Sequence, residues 1–331
     1  MVYITKIYRV RNSESVEEAV EACCRILEGG GLVVFPTETV YGVGARADSL
    51  TSVKRLLQAK NRGLEPLTIH ISSLRQLDDL GIDLGAAGTR LAKVFWPGPL
   101  TIVVPLTNGM LRHVTGLSPF IGVRMPAHPV ALKLIKCSGP IVAPSANVSG
   151  RPSPVRGWDA IIEMFGRVDA IIDAGECIEG LESTVLLLSP GTPRILRLGP
   201  IEPNDLERVL GEPLYISELP TRRRRYKPNV RILLSYAPMA EALKRVMSSA
   251  PRPICVAVTR ETKGSLREIE AEILELGSIN DPLSIARNLF KLLRNAEALG
   301  CATLVIESLP EQGILAAVMS RLRASADEVL H

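Results

Sequence analysis

Aromatic side chains make up 4% of this 331-residue chain, and only two are tryptophan. No run of aromatics is interleaved with basic residues, so the pattern by which base-stacking modules hold RNA or single-stranded DNA is missing. Nor is there an apolar run near the roughly 20 uncharged residues that cross a bilayer, and a membrane span is excluded. The start, Met1-Val2-Tyr3-Ile4-Thr5-Lys6, lacks the basic-then-apolar layout of a signal peptide. The expected location is the cytoplasm.

The six cysteines, at positions 23, 24, 137, 177, 255 and 301, form no Cys-x-x-Cys pair and no cysteine–histidine cluster at metal-ligand spacing. Neither a zinc module nor a disulfide framework is expected; small apolar thiols in a reducing compartment are. Also absent are internal repeats, low-complexity tracts, a Gly-x-Gly-x-x-Gly turn and a nucleophile with a paired base. The net charge of +4 is too small to diagnose a nucleic-acid partner by itself. Its one dense cluster is Arg222 to Arg225.

What is present is an alternation of Val/Ile/Leu runs with segments of helical period, the pattern of an α/β protein. The length suits two domains better than one. Strands are expected at 31–35, 67–71, 100–104, 121–124, 140–143, 169–172, 184–188 and 194–198. Ser15 is placed to cap a helix running to Glu28, with Glu18 as the capping-box carboxylate and Gly29 to Gly31 as the stop. Further helices are expected at 50–60, 86–95, 128–137, 157–165 and 203–210. Periodicity lapses between 211 and 229, which reads as a linker between a domain over 1–210 and a second over 230–331. The second reads as strand 230–234, helix 238–249, strand 253–258, helices 265–275 and 282–298, strand 302–306 and helix 313–329, a smaller Rossmann-like α/β domain.

Three stretches can carry chemistry. Phe35-Pro36-Thr37-Glu38-Thr39-Val40-Tyr41-Gly42-Val43-Gly44 leads from a strand into hydroxyls and glycines, which suit a small polar ligand. Lys60-Asn61-Arg62 places two cations where both can meet one polyphosphate, lysine as a point charge and arginine as a fork. Ala143-Pro144-Ser145-Ala146-Asn147-Val148-Ser149-Gly150 again ends a strand with small polar side chains able to bond phosphate or carboxylate oxygens. Taken singly, each also reads as an ordinary turn or solvated helix end, and His70 as a core histidine.

With Phe95-Trp96-Pro97-Gly98-Pro99-Leu100-Thr101, Gly122 to Pro126 and Ser183-Thr184-Val185, these blocks occur in the order seen in YrdC-like proteins. The chain resembles the threonylcarbamoyl-AMP synthases in their long, Sua-type two-domain form, whose signature is the Lys-x-Arg and Ser-x-Asn pair. The resemblance implies a YrdC-like twisted mixed sheet with helices around a basic cavity. It also implies synthesis of threonylcarbamoyl-AMP from L-threonine, bicarbonate and ATP, with Mg2+ held mainly by the ATP phosphates and no organic cofactor.

By the same resemblance Thr37, His70, Arg124 and Ser183 stand where the family holds threonine. Lys60, Arg62, Thr101, Ser145, Asn147, Ser153 and Arg197 stand where it holds the nucleotide, joined by Tyr226 of the linker. Lys60 and Arg62 would be the catalytic pair. The product would pass to the machinery that transfers threonylcarbamoyl to tRNA, and a weak RNA contact is left open. Gly63 stands where the family has proline, arginines replace an aromatic and a histidine of its linker, and Ser320 replaces an asparagine. Two rival readings stay open at this point, a non-catalytic RNA-binding module and a carbamoyl transferase. The lack of zinc-type cysteine pairs argues against the second.

Overall fold

The computed structural model describes residues 4–107, 109–116, 118–217, 226–266 and 271–331. Two compact units emerge. Unit 1 comprises Met1–Ser149, Ser153–Ile178 and Glu182–Leu219, and unit 2 comprises Gly150–Pro152, Glu179–Leu181 and Pro220–His331. The arginine run at 222–225 lies outside the described residues.

In unit 1 the strands are β1 (Lys6–Arg9), β2 (Val33–Phe35), β3 (Gly42–Arg46), β4 (Thr68–His70), β5 (Leu100–Pro105), β6 (Phe120–Arg124), β7 (Ile141–Val142), β8 (Ala170–Asp173), β9 (Thr184–Leu187), β10 (Arg194–Arg197) and β11 (Tyr215–Ile216). Among the described residues they form one mixed sheet in the order β1-β8-β2-β3-β7-β4-β6-β5-β9-β10-β11. The Val/Ile/Leu runs are its middle strands: Val33, Val34, Phe35, Ile69, Ile102, Val123, Ile141 and Val142 are all buried. β11, inside the stretch read as linker, pairs parallel with β10. β1 and β3 also went unforeseen. β1 is mostly exposed, and β3 carries glycines, which depress strand propensity.

The first helix spans Ser13–Glu28, and its cap is Asn12, a correction to the reading of Ser15 as the cap. Ser15 N donates to Asn12 Oδ1 at 2.9 Å, while Ser15 Oγ accepts from Asn12 N at 3.1 Å. Asparagine thus caps and serine closes the box from the third position, so Glu18 is not required. The buried stripe Ala19, Val20, Cys23 and Leu27 packs in one cluster with Val130, Ala131, Leu134 and Ile135 of the helix Pro129–Ser138.

Cys24 and Cys137 join these two helices as a disulfide with a Cα–Cα distance of 6.1 Å, and Cys255 and Cys301 form a second with 5.8 Å. The expectation of six plain thiols is therefore corrected. The partners stand 113 and 46 residues apart, and such separations become contacts only through the fold. Cys23 and Cys177 are free and buried, and burial pushes the Cys23 thiol up to about 12.

Unit 2 holds β12 (Arg231–Ser235), β13 (Ile254–Val258), β14 (Glu272–Glu275), β15 (Thr303–Glu307) and β16 (Glu328–Leu330). They form a parallel sheet in the order β14-β13-β15-β12-β16. Two expectations fail here. The helix at 265–275 is a short turn followed by strand β14, with 267–270 outside the described residues; the helix at 313–329 stops at Ser325 and gives way to β16. No described helix is long and apolar enough to cross a membrane.

Candidate functional site

Register gathers the polar residues of unit 1 into a row across the sheet. His70 of β4 is the Cα partner of Arg124 in the parallel β6. On the other side of β6, Ile102 faces Val123 in the antiparallel β5, so one step along brings Thr101 level with Arg124. Thr101 in turn partners Val185 of β9, which partners Arg197 of β10. Partners directly across a ladder point to the same face. His70, Arg124, Thr101 and Arg197 therefore project from one face at one level, although 127 positions separate the first from the last.

Hydrogen bonds lock the row. Thr101 Oγ1 and Ser183 Oγ are 2.8 Å apart, and Arg197 donates to the same hydroxyl from Nη2 at 3.0 Å and to the Ser183 carbonyl from Nε at 3.0 Å. Arg124 donates from Nε to the Gly98 carbonyl at 3.2 Å and from Nη2 to Glu38 Oε1 at 2.7 Å. A side chain at position 98 would place its Cβ 2.3 Å from the Phe95 carbonyl oxygen, which is why glycine occupies the turn that aims this carbonyl at Arg124. His70 is buried, and Nδ1 has no hydrogen-bond partner among the described residues. Burial, reinforced by the Arg124 charge, pushes its pKa down to about 3, so the imidazole is neutral and can donate or accept toward a hydroxyl.

A second cluster forms where the Lys-x-Arg and Ser-x-Asn blocks meet. The helix Leu50–Ala59 ends at Lys60; Asn61 then takes a left-handed φ of 49°, with Asn61 N bonding Gln58 O at 3.0 Å and Arg62 N bonding Leu57 O at 2.9 Å. That is a Schellman ending, in which asparagine tolerates the left-handed position. The turn sends Lys60 inward. Its Nζ donates to the main-chain carbonyls of both Ser145 and Asn147, and its own carbonyl accepts from Ser149 N at 2.9 Å. The loop after β7 is also laced to the first block, with Ala146 N bonding Tyr41 O at 2.7 Å and Val43 N bonding Pro144 O at 2.9 Å. All three sequence blocks thus converge.

Lys60 is 2% exposed. Burial first and the Arg62 charge second push its pKa down to about 7, against the opposing pull of Glu163 and Glu65. Arg62 reaches the Pro66 carbonyl at 3.1 Å and pairs with Glu65 at 3.2 Å.

The remaining site residues are placed as follows. Thr37 Oγ1 donates to Val40 O at 2.7 Å and accepts from the main-chain N–H of Thr39 and Val40, so this hydroxyl closes its own turn. The Asn147 amide donates to Val148 O at 2.9 Å. Ser153 donates to Glu182. Tyr226 lies in unit 2, its ring 5.2 Å from that of Phe290 and beneath the Arg321 guanidinium. Three acids stand in or beside the site without a role read from the sequence: Glu38, paired with Arg124; Glu163, which accepts from Val148 N at 3.0 Å; and Glu182, which opens the block Glu182-Ser183-Thr184-Val185 and accepts from Ser153. Each is buried, and a buried acid is indistinguishable from a surface one until its neighbours are known.

Residues 25–199 match the family described as Telomere recombination, and residues 204–327 match that described as Threonylcarbamoyl-AMP synthase, C-terminal domain. The threonylcarbamoyl-AMP synthase of Pyrococcus abyssi is 37% identical over 98% of this chain and 98% of its own length. The chain belongs to the two-domain threonylcarbamoyl-AMP synthase family. Another member, from Bacillus subtilis, is 33% identical over 91% of both chains. The fold is shared as well: the crystal structure of P. abyssi Sua5 complexed with L-threonine superposes with a TM-score of 0.88 at 35% identity, covering 99% of this chain and 100% of that one.

Proposed function

We propose that this chain is an L-threonylcarbamoyladenylate synthase, a nucleotidyltransferase that serves the threonylcarbamoyladenosine modification of tRNA beside the anticodon. The observation that carries the reading is the seat of Lys60. Its ammonium rests on the Ser145 and Asn147 carbonyls, so the two halves of the family signature form one site. The relatives named as synthases support it, as does the likeness to a structure complexed with L-threonine.

In this proposal Arg124 clamps the threonine carboxylate, and neutral His70, Thr37 and Ser183 face its hydroxyl and amine. The amine attacks CO2, or bicarbonate with loss of water, to give N-carboxythreonine. The new carboxylate then attacks the α-phosphorus of ATP, and pyrophosphate leaves. Two anions meet in that step, so the demand on the protein is proximity and neutralisation of charge. Lys60 and Arg62 supply the cations, while Thr101, Ser145, Asn147, Ser153 and Arg197 hold the nucleotide. Mg2+ enters as part of the substrate, carried on the triphosphate. A cytoplasmic setting and delivery to a tRNA threonylcarbamoyl-transfer machinery complete the reading.

The test is product analysis after incubation with ATP, L-threonine and isotopically labelled bicarbonate. The expected product carries the label in a threonylcarbamoyl-AMP mass, with pyrophosphate released only when threonine is present. Threonine-independent pyrophosphate release, or salt-sensitive RNA binding without turnover, would remove the proposal.

A further inference from the structure

Glu38 is a buried charge that the reaction scheme leaves without a task. It is 5% exposed, and Oε1 accepts from Arg124 Nη2 at 2.7 Å. Its other oxygen, Oε2, is buried with no hydrogen-bond partner among the described residues. The carboxylate is therefore only half satisfied, and its negative field extends into surroundings that water does not screen. Arg124 is 5% exposed itself. Its Nε and Nη2, which form one edge of the fork, already face the Gly98 carbonyl and Glu38, leaving Nη1 as the nitrogen open to a ligand.

The charge balance then decides what the recess accepts. Arg124 and Glu38 together sum to zero. A ligand bearing only a carboxylate would leave a net negative charge in a buried site, and an uncompensated buried charge is strongly disfavoured. A zwitterion adds no net charge, and its ammonium supplies the cation that Glu38 lacks once Arg124 is shared with the ligand. We propose that Glu38 is a specificity-determining residue that makes the recess select α-amino acids over hydroxy acids of the same shape. This deepens the functional reading above and rests on its assignment of Arg124 as the carboxylate clamp. Glu38 acts through charge alone, placing the Arg124 guanidinium on one side and balancing the ligand's ammonium on the other.

The experiment is calorimetric titration of the full chain with L-threonine and with (R)-3-hydroxybutyrate, which keeps the carboxylate, hydroxyl and methyl but lacks the ammonium. The native chain is expected to prefer threonine strongly. Glu38→Gln should shrink that preference about tenfold or more, while ATP binding stays unchanged. Glu38→Asp, which keeps the charge, should retain the preference. A native chain that binds both ligands alike overturns the inference before any variant is made. A Gln variant with an unaltered ratio does the same, as does an Asp variant that loses it as far as Gln. Failure of the native chain to bind threonine at all would overturn the functional reading and this inference together, whereas binding with an unchanged ratio sinks this inference alone.

Discussion

At the scale of single residues, the informative side chain is Lys60, whose signature was readable while its state was not. An ammonium at a helix end reads as solvated; here it is buried against two carbonyls, with its pKa pushed down to about 7. Neutralising a triphosphate requires the protonated form. The expected outcome is that kcat/KM for ATP falls as pH rises through about 7, and that Lys60→Arg, whose guanidinium keeps its charge, lacks this limb even at reduced activity. A limb that persists in the arginine variant would assign it to another group. The sign for stability is opposite. A lysine whose folded pKa lies below the ordinary lysine value of 10.5 gives a fold that binds fewer protons than the unfolded chain. The penalty is complete below about pH 7 and fades as pH climbs toward 10.5. His70, Arg124, Ser145 and Asn147 were legible in the same way, through motif order. Glu38 was not, because nothing in Pro36-Thr37-Glu38-Thr39 tells a solvated carboxylate from one buried against an arginine 86 positions away.

At the scale of elements, regular segments with a long period were readable, and those shaped by neighbours were not. The helix Pro282–Ala298 and the strand β15 announce themselves by their apolar spacing. The helix expected at 265–275 fails because Ile273 and Leu274 belong to a strand set by pairing with Val256 and Ala257 of β13, a partner the local sequence does not reveal. The two-residue strand β11 carries no period at all, whereas β7 falls inside the apolar run expected as a strand at 140–143. The Schellman ending at Lys60-Asn61-Arg62 is an element whose sequence logic is visible in retrospect, since the middle residue must accept a φ of 49°. Asn61→Gly should leave stability within a few tenths of a kcal/mol, while Asn61→Val, a β-branched residue forced into the left-handed region, should cost about 1–2 kcal/mol. Urea unfolding measures both. The valine variant should lose synthase activity beyond its loss of stability, because the same turn sets Lys60 on the Ser145 and Asn147 carbonyls. Equal stability of the valine and glycine variants would show that the turn does not depend on this residue.

At the scale of the whole molecule, two covalent links were hidden from the sequence. Nothing in the spacing of the cysteines distinguishes Cys24 from its neighbour Cys23, yet Cys24 reaches Cys137 while Cys23 turns into the core. The helical period supplies the reason: adjacent residues on a helix point about 100° apart, so Cys24 can reach Cys137 while Cys23 lies in the buried stripe with Ala19, Val20 and Leu27. In the chain-entropy account, a cross-link stabilises by shrinking the unfolded ensemble, more so for a longer loop. With sequence separations of 113 and 46, the ceilings are about 5 and about 4 kcal/mol. The Cys24→Ala, Cys137→Ala double variant should therefore lower the thermal midpoint at least as much as the Cys255→Ala, Cys301→Ala pair. A strong reductant should produce the two losses together in the native chain, and in each double variant only the loss of the link that remains. Differential scanning calorimetry with and without reductant decides the matter. If the midpoint of the native chain is indifferent to reductant while both variants are destabilised, the cysteines stabilise by packing as thiols, and the links contribute nothing to the fold.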